Sequence, residues 1–231
     1  MKIRYCKTCL FPETKPDLFF NEAGVCSACV AAEQKDSSID WNQREKDFFS
    51  IIDKYKKAPG EIGYDCLIPV SGGKDSFYQT HLMIEKYGLK PLLVTYHGNN
   101  YLPEGDYNRD LMRNVFDADH LVFGPSVSSL KKLNRLGFKL MGDMNWHAHC
   151  GIFTYPIQIA SMMKIPMVVW GETFWDISGM FSPDDFVEFS ARTRHEHALR
   201  GYEWFDLVGQ EDLTEKDLLW AKYPEDKEIL E

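Results

Sequence analysis

Long apolar runs and an excess of basic residues are both missing from this 231-residue chain. No apolar run approaches the roughly 20 residues that a membrane-spanning helix needs, and the N-terminus lacks the apolar region of a signal peptide. The chain has 26 Lys and Arg against 35 Asp and Glu, and its net charge of −9 argues against a general nucleic-acid-binding surface. We therefore expect a cytoplasmic protein with no membrane span and no nucleic-acid partner.

Internal repeats and low-complexity tracts are missing too, whereas hydrophobic residues make up 44% of the chain, enough for a packed core. Short apolar runs at 66–70, 91–97, 120–123 and 166–170 are typical of buried strands. They alternate with helical patterns at 75–87, 104–116, from Ser126 or Ser128 to about 140, and from about 154. This alternation predicts an α/β fold built on a parallel sheet with helices on both faces.

A glycine turn, 71–76, joins the first predicted strand to the first helix of this alternation. The N–H groups and the dipole of a helix's first turn favour an anion at such a turn. Gly72 and Gly73 let the backbone approach a ligand closely, and Lys74 adds a positive charge suited to phosphate. The common P-loop motif does not match, because Asp75 stands where that motif has Ser or Thr. The residues predicted to bind phosphate are Ser71, Gly72, Gly73, Lys74, Asp75 and Ser76.

Four of the six cysteines form two C-x-x-C pairs near the N-terminus. This spacing is typical of a structural zinc site, in which four thiolates close a tetrahedron and leave no position open for chemistry. Disulfides are not expected in a reducing cytoplasm. A lobe this small would depend on the metal for its stability. The predicted zinc ligands are Cys6, Cys9, Cys26 and Cys29.

The Ser-Gly-Gly-Lys-Asp-Ser sequence at 71–76 resembles the PP-loop of the ATP pyrophosphatases, which cleave ATP between its α- and β-phosphates. The resemblance implies an α/β fold of the adenine-nucleotide α-hydrolase type, a loop that grips pyrophosphate, and release of AMP from an adenylated substrate. It also implies that the adenosine lies between the ends of the first two strands and the glycine after the fourth, beyond the carboxyl edge of the sheet. For His97, which lies at the end of the second strand, the alternative is a purely structural role. The candidate nucleotide-binding residues at these strand ends are Tyr96, His97, Gly171 and Glu172.

The sequence is more specifically similar to the N-acetyl sugar amidotransferases, PP-loop enzymes of surface-polysaccharide biosynthesis. The similarity rests on the cysteine pairs, the PP-loop, residues 146–156, Gly171-Glu172 and residues 200–204. It implies an ATP-dependent, AMP-forming ligase that converts a sugar acetamido group to an acetamidino group in lipopolysaccharide or nonulosonic-acid biosynthesis. It further implies a glutaminase partner that supplies ammonia, a nucleotide-sugar or acidic sugar substrate, and ATP, Mg²⁺ and Zn²⁺ as cofactors.

Residues 146–156 and the PP-loop supply the catalytic candidates. Lys74 is expected to stabilise phosphate charge, and Asp75 either holds magnesium or caps the helix. His147, His149 and Cys150 are expected in a loop before the helix that begins at about 154, where a histidine could take a proton from attacking ammonium. The alternative is that His149 and Cys150 pack under this loop and only His147 is exposed.

The expected domain boundaries give a zinc ribbon over 1–36, a connector helix over 37–60 and a PP-loop domain over 61–231. Members of the family continue beyond the last residue of this chain, so we expect a fragment or a shortened member. The main alternative function is tRNA thiolation, whose enzymes also carry a zinc ribbon but use two or three active-site cysteines. Some of them have a cysteine where this chain has His147. A further alternative is a non-catalytic ATP-binding subunit of a larger assembly.

Overall fold

The computed structural model describes residues 3–15, 18–98, 100–171 and 194–225. These residues fall into two compact units. The first contains the described residues up to Ile51, and the second contains residues 52–171 and 194–225. Within the described residues, no helix is both long and apolar enough to cross a membrane.

The first unit is built around the N-terminal cysteines. Isolated antiparallel bridges join Tyr5 to Pro12 and Phe20 to Cys26, which gives the short hairpin pieces on which the cysteines lie. Helix α1 (Ser27–Ser38) follows directly and was not expected from the sequence. Helix α2 (Trp41–Tyr55) begins after Asp40, whose Oδ1 accepts a hydrogen bond from the Gln43 N–H at 3.0 Å and so caps the helix.

The second unit contains a parallel sheet in which the strand order is β1-β2-β3. Its strands are β1 (Cys66–Pro69), β2 (Pro91–Tyr96) and β3 (His120–Phe123). Cys66 pairs with Pro91 and Leu93 pairs with His120, both in parallel register. The predicted α/β class with a parallel sheet is therefore confirmed.

The fourth predicted strand, at 166–170, is reduced to a single parallel bridge between Leu67 and Val168. Leu67 N–H donates to Met167 O at 2.8 Å, and Val169 N–H donates to Leu67 O at 2.9 Å. Pro166 has no N–H to extend this ladder. The segment still lies beside β1, on the opposite side from β2.

Helices connect consecutive strands, because parallel strands need a long crossover connection between them. Helix α3 (Lys74–His81) continues into a π-helical turn, Leu82–Lys86, and α4 (Pro103–Phe116) links β2 to β3. Helix α5 (Val127–Met141) starts at Ser126, whose hydroxyl accepts a hydrogen bond from the Ser129 N–H at 3.2 Å. These helices begin and end close to the predicted positions.

Helix α6 (Trp146–Met163) begins well before the predicted start near 154, so the predicted loop at 147–150 is wrong. With a start near 154, Pro156 would lie in the first helical turn, where a missing N–H is tolerated. Pro156 instead lies inside the helix. The buried Trp146 holds the start of α6 in place, because its indole Nε1–H donates to Tyr202 O at 3.0 Å.

The C-terminal part of the second unit packs against α6. It contains a π-helical turn (Arg194–Ala198), a 3₁₀ turn (Trp204–Leu207), helix α7 (Glu215–Leu218) and a further 3₁₀ turn (Leu219–Ala221). The Thr-x-x-Asp sequence at 214–217 predicts a helix start, and this is confirmed, because Thr214 and Asp217 form a reciprocal capping box. The sequence Ser-Pro-Asp-Asp at 182–185 predicts another helix start, which lies outside the described residues.

Candidate active site

The loop at 71–76, which we call the PP-loop after the motif that it resembles, is closed by its own hydroxyl groups. The Ser71 N–H donates to Ser76 Oγ at 3.0 Å, and the Gly73 N–H donates to Ser71 Oγ at 3.3 Å. The two serine hydroxyls lie 3.2 Å apart. These bonds fix a tight turn between β1 and the first turn of α3, which is the strand–turn–helix arrangement that the sequence predicts for an anion site.

Gly72 is required by both its backbone conformation and its surroundings. Its φ is +82°, and a Cβ at this position would lie 2.6 Å from the backbone nitrogen of Arg109 in α4. Arg109 is itself buried. The loop therefore rests directly on the backbone of α4, and a side chain here would force the two apart.

Lys74 and Asp75 project from the start of α3 into solvent. The Lys74 ammonium lies 2.8 Å from Asp75 Oδ1, and the two side chains are 88% and 77% exposed. Gly73 occupies the N-cap position and Asp75 lies in the first turn, so the capping role considered for Asp75 is wrong. Both charged groups are accessible to a nucleotide phosphate or its metal ion.

A cavity of about 470 Å³ opens beside the loop. Its walls come from the PP-loop turn, the end of β2, the start of α4 and one face of α6. Among the predicted site residues, four line it: Ser71, Gly72, Gly73 and Tyr96.

Tyr96 is buried, and its hydroxyl group contacts the side chain of His147. Its hydroxyl lies 3.3 Å from His147 Nδ1. The Asn134 amide nitrogen, oriented towards the carbonyls of Leu130 and Met144, lies 2.9 Å from His147 Nε2.

His147 is 4% exposed, so the alternative in which only His147 is exposed is wrong. Burial lowers the pKa of His147 to about 4, with a smaller lowering from His149. The ring is neutral at pH 7 and both nitrogens have partners. This arrangement fits a role in positioning Tyr96 better than it fits a role in proton transfer.

His149 and Cys150 differ in their surroundings. His149 is partly exposed, and its Nδ1 lies 3.8 Å from Asp143 Oδ2. Cys150 is fully buried with its Sγ 3.7 Å from Ala221 O, and burial raises the pKa of the thiol to about 12. A protonated thiol in the core is a poor nucleophile.

Two further predicted nucleotide contacts, His97 and Gly171, lie outside the cavity wall. His97 Nε2 is 3.0 Å from Asp106 Oδ1, and its ring stacks on Tyr101 with centroids 4.7 Å apart. Gly171 abuts α3, where a Cβ would overlap the amide of Gln79. Glu172 lies outside the described residues.

In the first unit, the four predicted ligand cysteines do come together. Their sulfur atoms all lie within 4.8 Å of one another, with Cys6 and Cys29 3.9 Å apart and Cys9 and Cys26 3.5 Å apart. Burial opposes ionisation of Cys6, but backbone N–H groups that donate to its sulfur bring its pKa down to about 6. The group is suited to hold a metal ion.

Comparison with protein-family models gives no match for this sequence, and comparison with curated proteins gives none either. Among solved structures, the U34-tRNA thiolase NcsA from Methanococcus maripaludis, with its [4Fe-4S] cluster, is similar over 75% of this chain. The identity is 14% and the TM-score is 0.35. The chain spans 55% of the length of that structure. A match at this distance concerns only the fold and gives no argument for the function.

Sequence reasoning missed the residues that α4 contributes to the cavity. Gly105 and Asn108 of α4 line it, together with Asn100 and Tyr101 just before the helix. The available signal was the position of Asn100, just after a strand that ends at the ligand-binding edge of the sheet. The contact between Arg109 and Gly72 had no local signal, because it joins residues far apart in the chain.

Proposed function

We propose that this protein is an ATP-dependent, AMP-forming amidotransferase that converts the acetamido group of an N-acetyl sugar to an acetamidino group. The observation that carries the proposal is the Ser-Gly-Gly-Lys-Asp-Ser loop, which joins β1 to α3 at the wall of the cavity. This arrangement offers a phosphate site and space for a second substrate side by side. The similarity of residues 146–156 to the sugar amidotransferases supports the choice of acceptor.

The chemistry follows from the poor reactivity of an amide. The carbonyl carbon cannot exchange oxygen for nitrogen, because the leaving group would be oxide. Attack by the amide oxygen on the α-phosphorus of ATP expels pyrophosphate and forms an O-adenylyl imidate. Ammonia then adds to the carbon, AMP leaves with the former amide oxygen, and loss of a proton gives the amidine. The proposed source of ammonia is a separate glutaminase subunit.

The residues of the PP-loop have distinct roles in this proposal. Backbone N–H groups of the turn and the Lys74 ammonium bind the departing pyrophosphate, and electrostatic stabilisation of this kind is often the largest contribution to catalysis. Mg²⁺, when bound, would neutralise phosphate oxygens. The exposed carboxylate of Asp75 is the oxygen ligand that would hold it.

We assign proton transfer and positioning to different histidines. His149 stays the candidate for accepting a proton from ammonium, because it is partly exposed. His147 positions Tyr96 at the cavity wall. Cys150 is part of the core and has no assigned step.

The metal proposed for the cysteine cluster is zinc. Tetrahedral coordination with Zn–S bonds of about 2.3 Å places the sulfur atoms about 3.8 Å apart. The Sγ–Sγ separations of 3.9 Å and 3.5 Å in the structure fit that geometry. Four thiolates would leave no open position, so the role of the metal would be structural.

The thiolation alternative requires more than one reactive cysteine at the active site. Cys150 is fully buried, and the raised pKa of its thiol keeps it protonated. Apart from the four clustered cysteines, the chain has Cys150 and Cys66. Cys66 lies within the buried strand β1, and burial raises its pKa to about 12. Neither thiol is suited to carry sulfur.

The proposal is tested by measuring AMP and pyrophosphate release from ATP with ammonium and a panel of N-acetyl nucleotide sugars. We expect release that depends on both ammonium and an N-acetylated acceptor. Release that depends on tRNA instead would support thiolation. ATP binding without release under any of these conditions would support the non-catalytic ATP-binding subunit.

A further inference from the structure

The peptide group between Val70 and Ser71 leads from β1 into the PP-loop, and it is held on both sides. The Thr95 hydroxyl of β2 donates to Val70 O at 2.6 Å, and the Ser71 N–H donates to Ser76 Oγ of α3 at 3.0 Å. The C=O and N–H of a trans peptide lie in one plane and point in opposite directions. These two hydrogen bonds therefore fix the orientation of the first peptide plane of the loop between β2 and α3.

His120 of β3 orients the Thr95 hydroxyl. A carbonyl oxygen can only accept, so the single proton of this hydroxyl is used on Val70 O. His120 Nε2 lies 2.9 Å from the same hydroxyl oxygen and must therefore donate to it. The imidazole of His120 carries a proton on Nε2, and the donors follow one another from β3 through β2 to the start of the loop.

The chain of hydrogen bonds continues into the loop itself. Ser76 Oγ, which accepts from the Ser71 N–H, lies 3.2 Å from Ser71 Oγ. Ser71 Oγ in turn accepts from the Gly73 N–H at 3.3 Å. Hydrogen bonds in series polarise and strengthen one another where water is excluded. The orientation of the turn is thus connected to His120, which lies two strands away.

Thr95 and His120 are placed to act on the loop and not on a bound ligand. Thr95 and Val70 are 1% and 5% exposed, and neither Thr95 nor His120 is among the residues that line the cavity. A buried carbonyl without a donor is costly, so loss of the Thr95 hydroxyl favours a different orientation of the peptide at 70–71. A turn whose N–H groups are no longer aimed at the phosphates must be ordered when the ligand binds, and that cost weakens binding.

We propose that Thr95 and His120 are positioning residues for phosphate binding by the PP-loop. His120 holds the Thr95 hydroxyl, the hydroxyl holds the Val70 carbonyl, and the peptide at 70–71 aims the N–H groups of the turn. The inference rests on the proposed function in one respect, namely that this loop binds the phosphates of ATP.

The test is calorimetric titration of the full chain with ATP and Mg²⁺, in the absence of any acceptor. Thr95→Val keeps the size of the side chain and removes its hydroxyl, so ATP should bind about three- to tenfold more weakly, the effect of one neutral hydrogen bond. Thr95→Ser restores the hydroxyl and should bind like the wild type. The matched control is Thr154→Val, at a fully buried threonine of α6 whose hydroxyl lies 3.8 Å from Cys150 Sγ, and it should also bind like the wild type.

A second pair of variants tests whether His120 acts through Thr95. His120→Leu removes the donor at a half-buried position of β3, so it measures the effect even if Thr95→Val does not fold. It should weaken ATP binding, and the double variant with Thr95→Val should bind no more weakly than Thr95→Val alone. Residues that act independently would instead give additive losses.

Four results would overturn the positioning role: wild-type ATP affinity in Thr95→Val or in His120→Leu, no rescue by Thr95→Ser, an equal loss in Thr154→Val, or additive losses in the double variant. Absence of ATP binding by the wild type would overturn it together with the phosphate site. Binding is measured without turnover, so the fate of the amidotransferase proposal is separate. If ATP binds with the expected pattern but no acceptor supports pyrophosphate release, the positioning role stands and the amidotransferase proposal fails.

Discussion

The Tyr96 hydroxyl lies 3.3 Å from Nδ1 of His147, and this contact ties the end of β2 to α6 at the back of the cavity. Gly151 of α6 makes the contact possible, because a Cβ there would overlap the Tyr96 ring. Two secondary-structure elements that line the cavity are therefore held together by a buried polar pair, so changes to His147 should act first on stability.

His147→Gln tests this role through the pH dependence of stability. Burial lowers the pKa of His147 from 6.5 to about 4, so between these values the unfolded chain binds a proton that the folded chain does not. Stability is then full above pH 6.5 and falls as the pH decreases towards 4, by up to about 3 kcal/mol for this group. Denaturant unfolding at pH 7 and pH 4.5 should show a smaller difference in the variant.

His120 also contributes to the pH dependence of stability, because burial lowers its pKa to about 4 as well. A variant of His120 is therefore needed as a control. His120→Gln should reduce the pH dependence in the same direction, and the double variant should reduce it further. An unchanged pH dependence in His147→Gln would show that His147 is not buried as a neutral ring.

Gly72→Ala should destabilise the protein more than an alanine at another glycine of positive φ. The matched control is Gly142→Ala, at φ +69° with open space around the position. In both variants, a residue with a Cβ at positive φ lowers the free energy of unfolding by about 1–2 kcal/mol. The Cβ at position 72 also overlaps the backbone of Arg109. We expect urea unfolding to show the larger loss for Gly72→Ala, together with weaker ATP binding. Equal losses would mean that α4 does not rest on the loop.

The sequence predicted those features that depend on local patterns. The strand at His120–Phe123 and the capping box at Thr214 were predicted at the positions observed, because an apolar run and a Thr-x-x-Asp signal are each local. The loop at 71–76 has the predicted position between a strand and a helix for the same reason.

Tertiary contacts decided the features that the sequence did not predict. Pro156 lies inside α6, whose start is fixed by the bond from Trp146 to Tyr202, far away in the chain. The apolar run at 166–170 forms a single bridge to β1 instead of a strand, because the extent of its pairing depends on β1, which is far away in the chain. The cavity wall at Tyr101 and Asn108 depends on the packing of α4 against the loop, which no local pattern in the sequence indicates.

Lys74→Ala should abolish most turnover and leave the fold intact. The side chain is 88% exposed, so its loss affects phosphate binding more than packing. Removing one electrostatic contact to a developing charge costs about 10²–10³ in rate. Lys131→Ala, at an exposed lysine of α5, is the control and should keep the wild-type rate. A wild-type rate in Lys74→Ala at saturating ATP would contradict the assignment of pyrophosphate binding to this loop.

The cysteine cluster should hold one zinc ion per chain, measured by elemental analysis of protein purified without chelator. Cys6→Ala should lose the metal and destabilise the first unit, whereas Cys66→Ala should keep it, because Cys66 is a core residue of β1. Visible absorption with bound iron would instead indicate an iron–sulfur cluster. Metal-free protein in the wild type would contradict the proposed zinc site.

The most direct test of the proposed function is mass spectrometry of N-acetyl nucleotide sugars incubated with the protein, ATP and ammonium. We predict a product lighter than its acceptor by the difference between an oxygen atom and an NH group, formed with equal amounts of AMP and absent with Lys74→Ala. An acceptor of unchanged mass across the panel, with ATP consumed, would contradict the amidotransferase proposal. Thiolated tRNA, heavier by the difference between sulfur and oxygen, would contradict it too and would identify the other enzyme class.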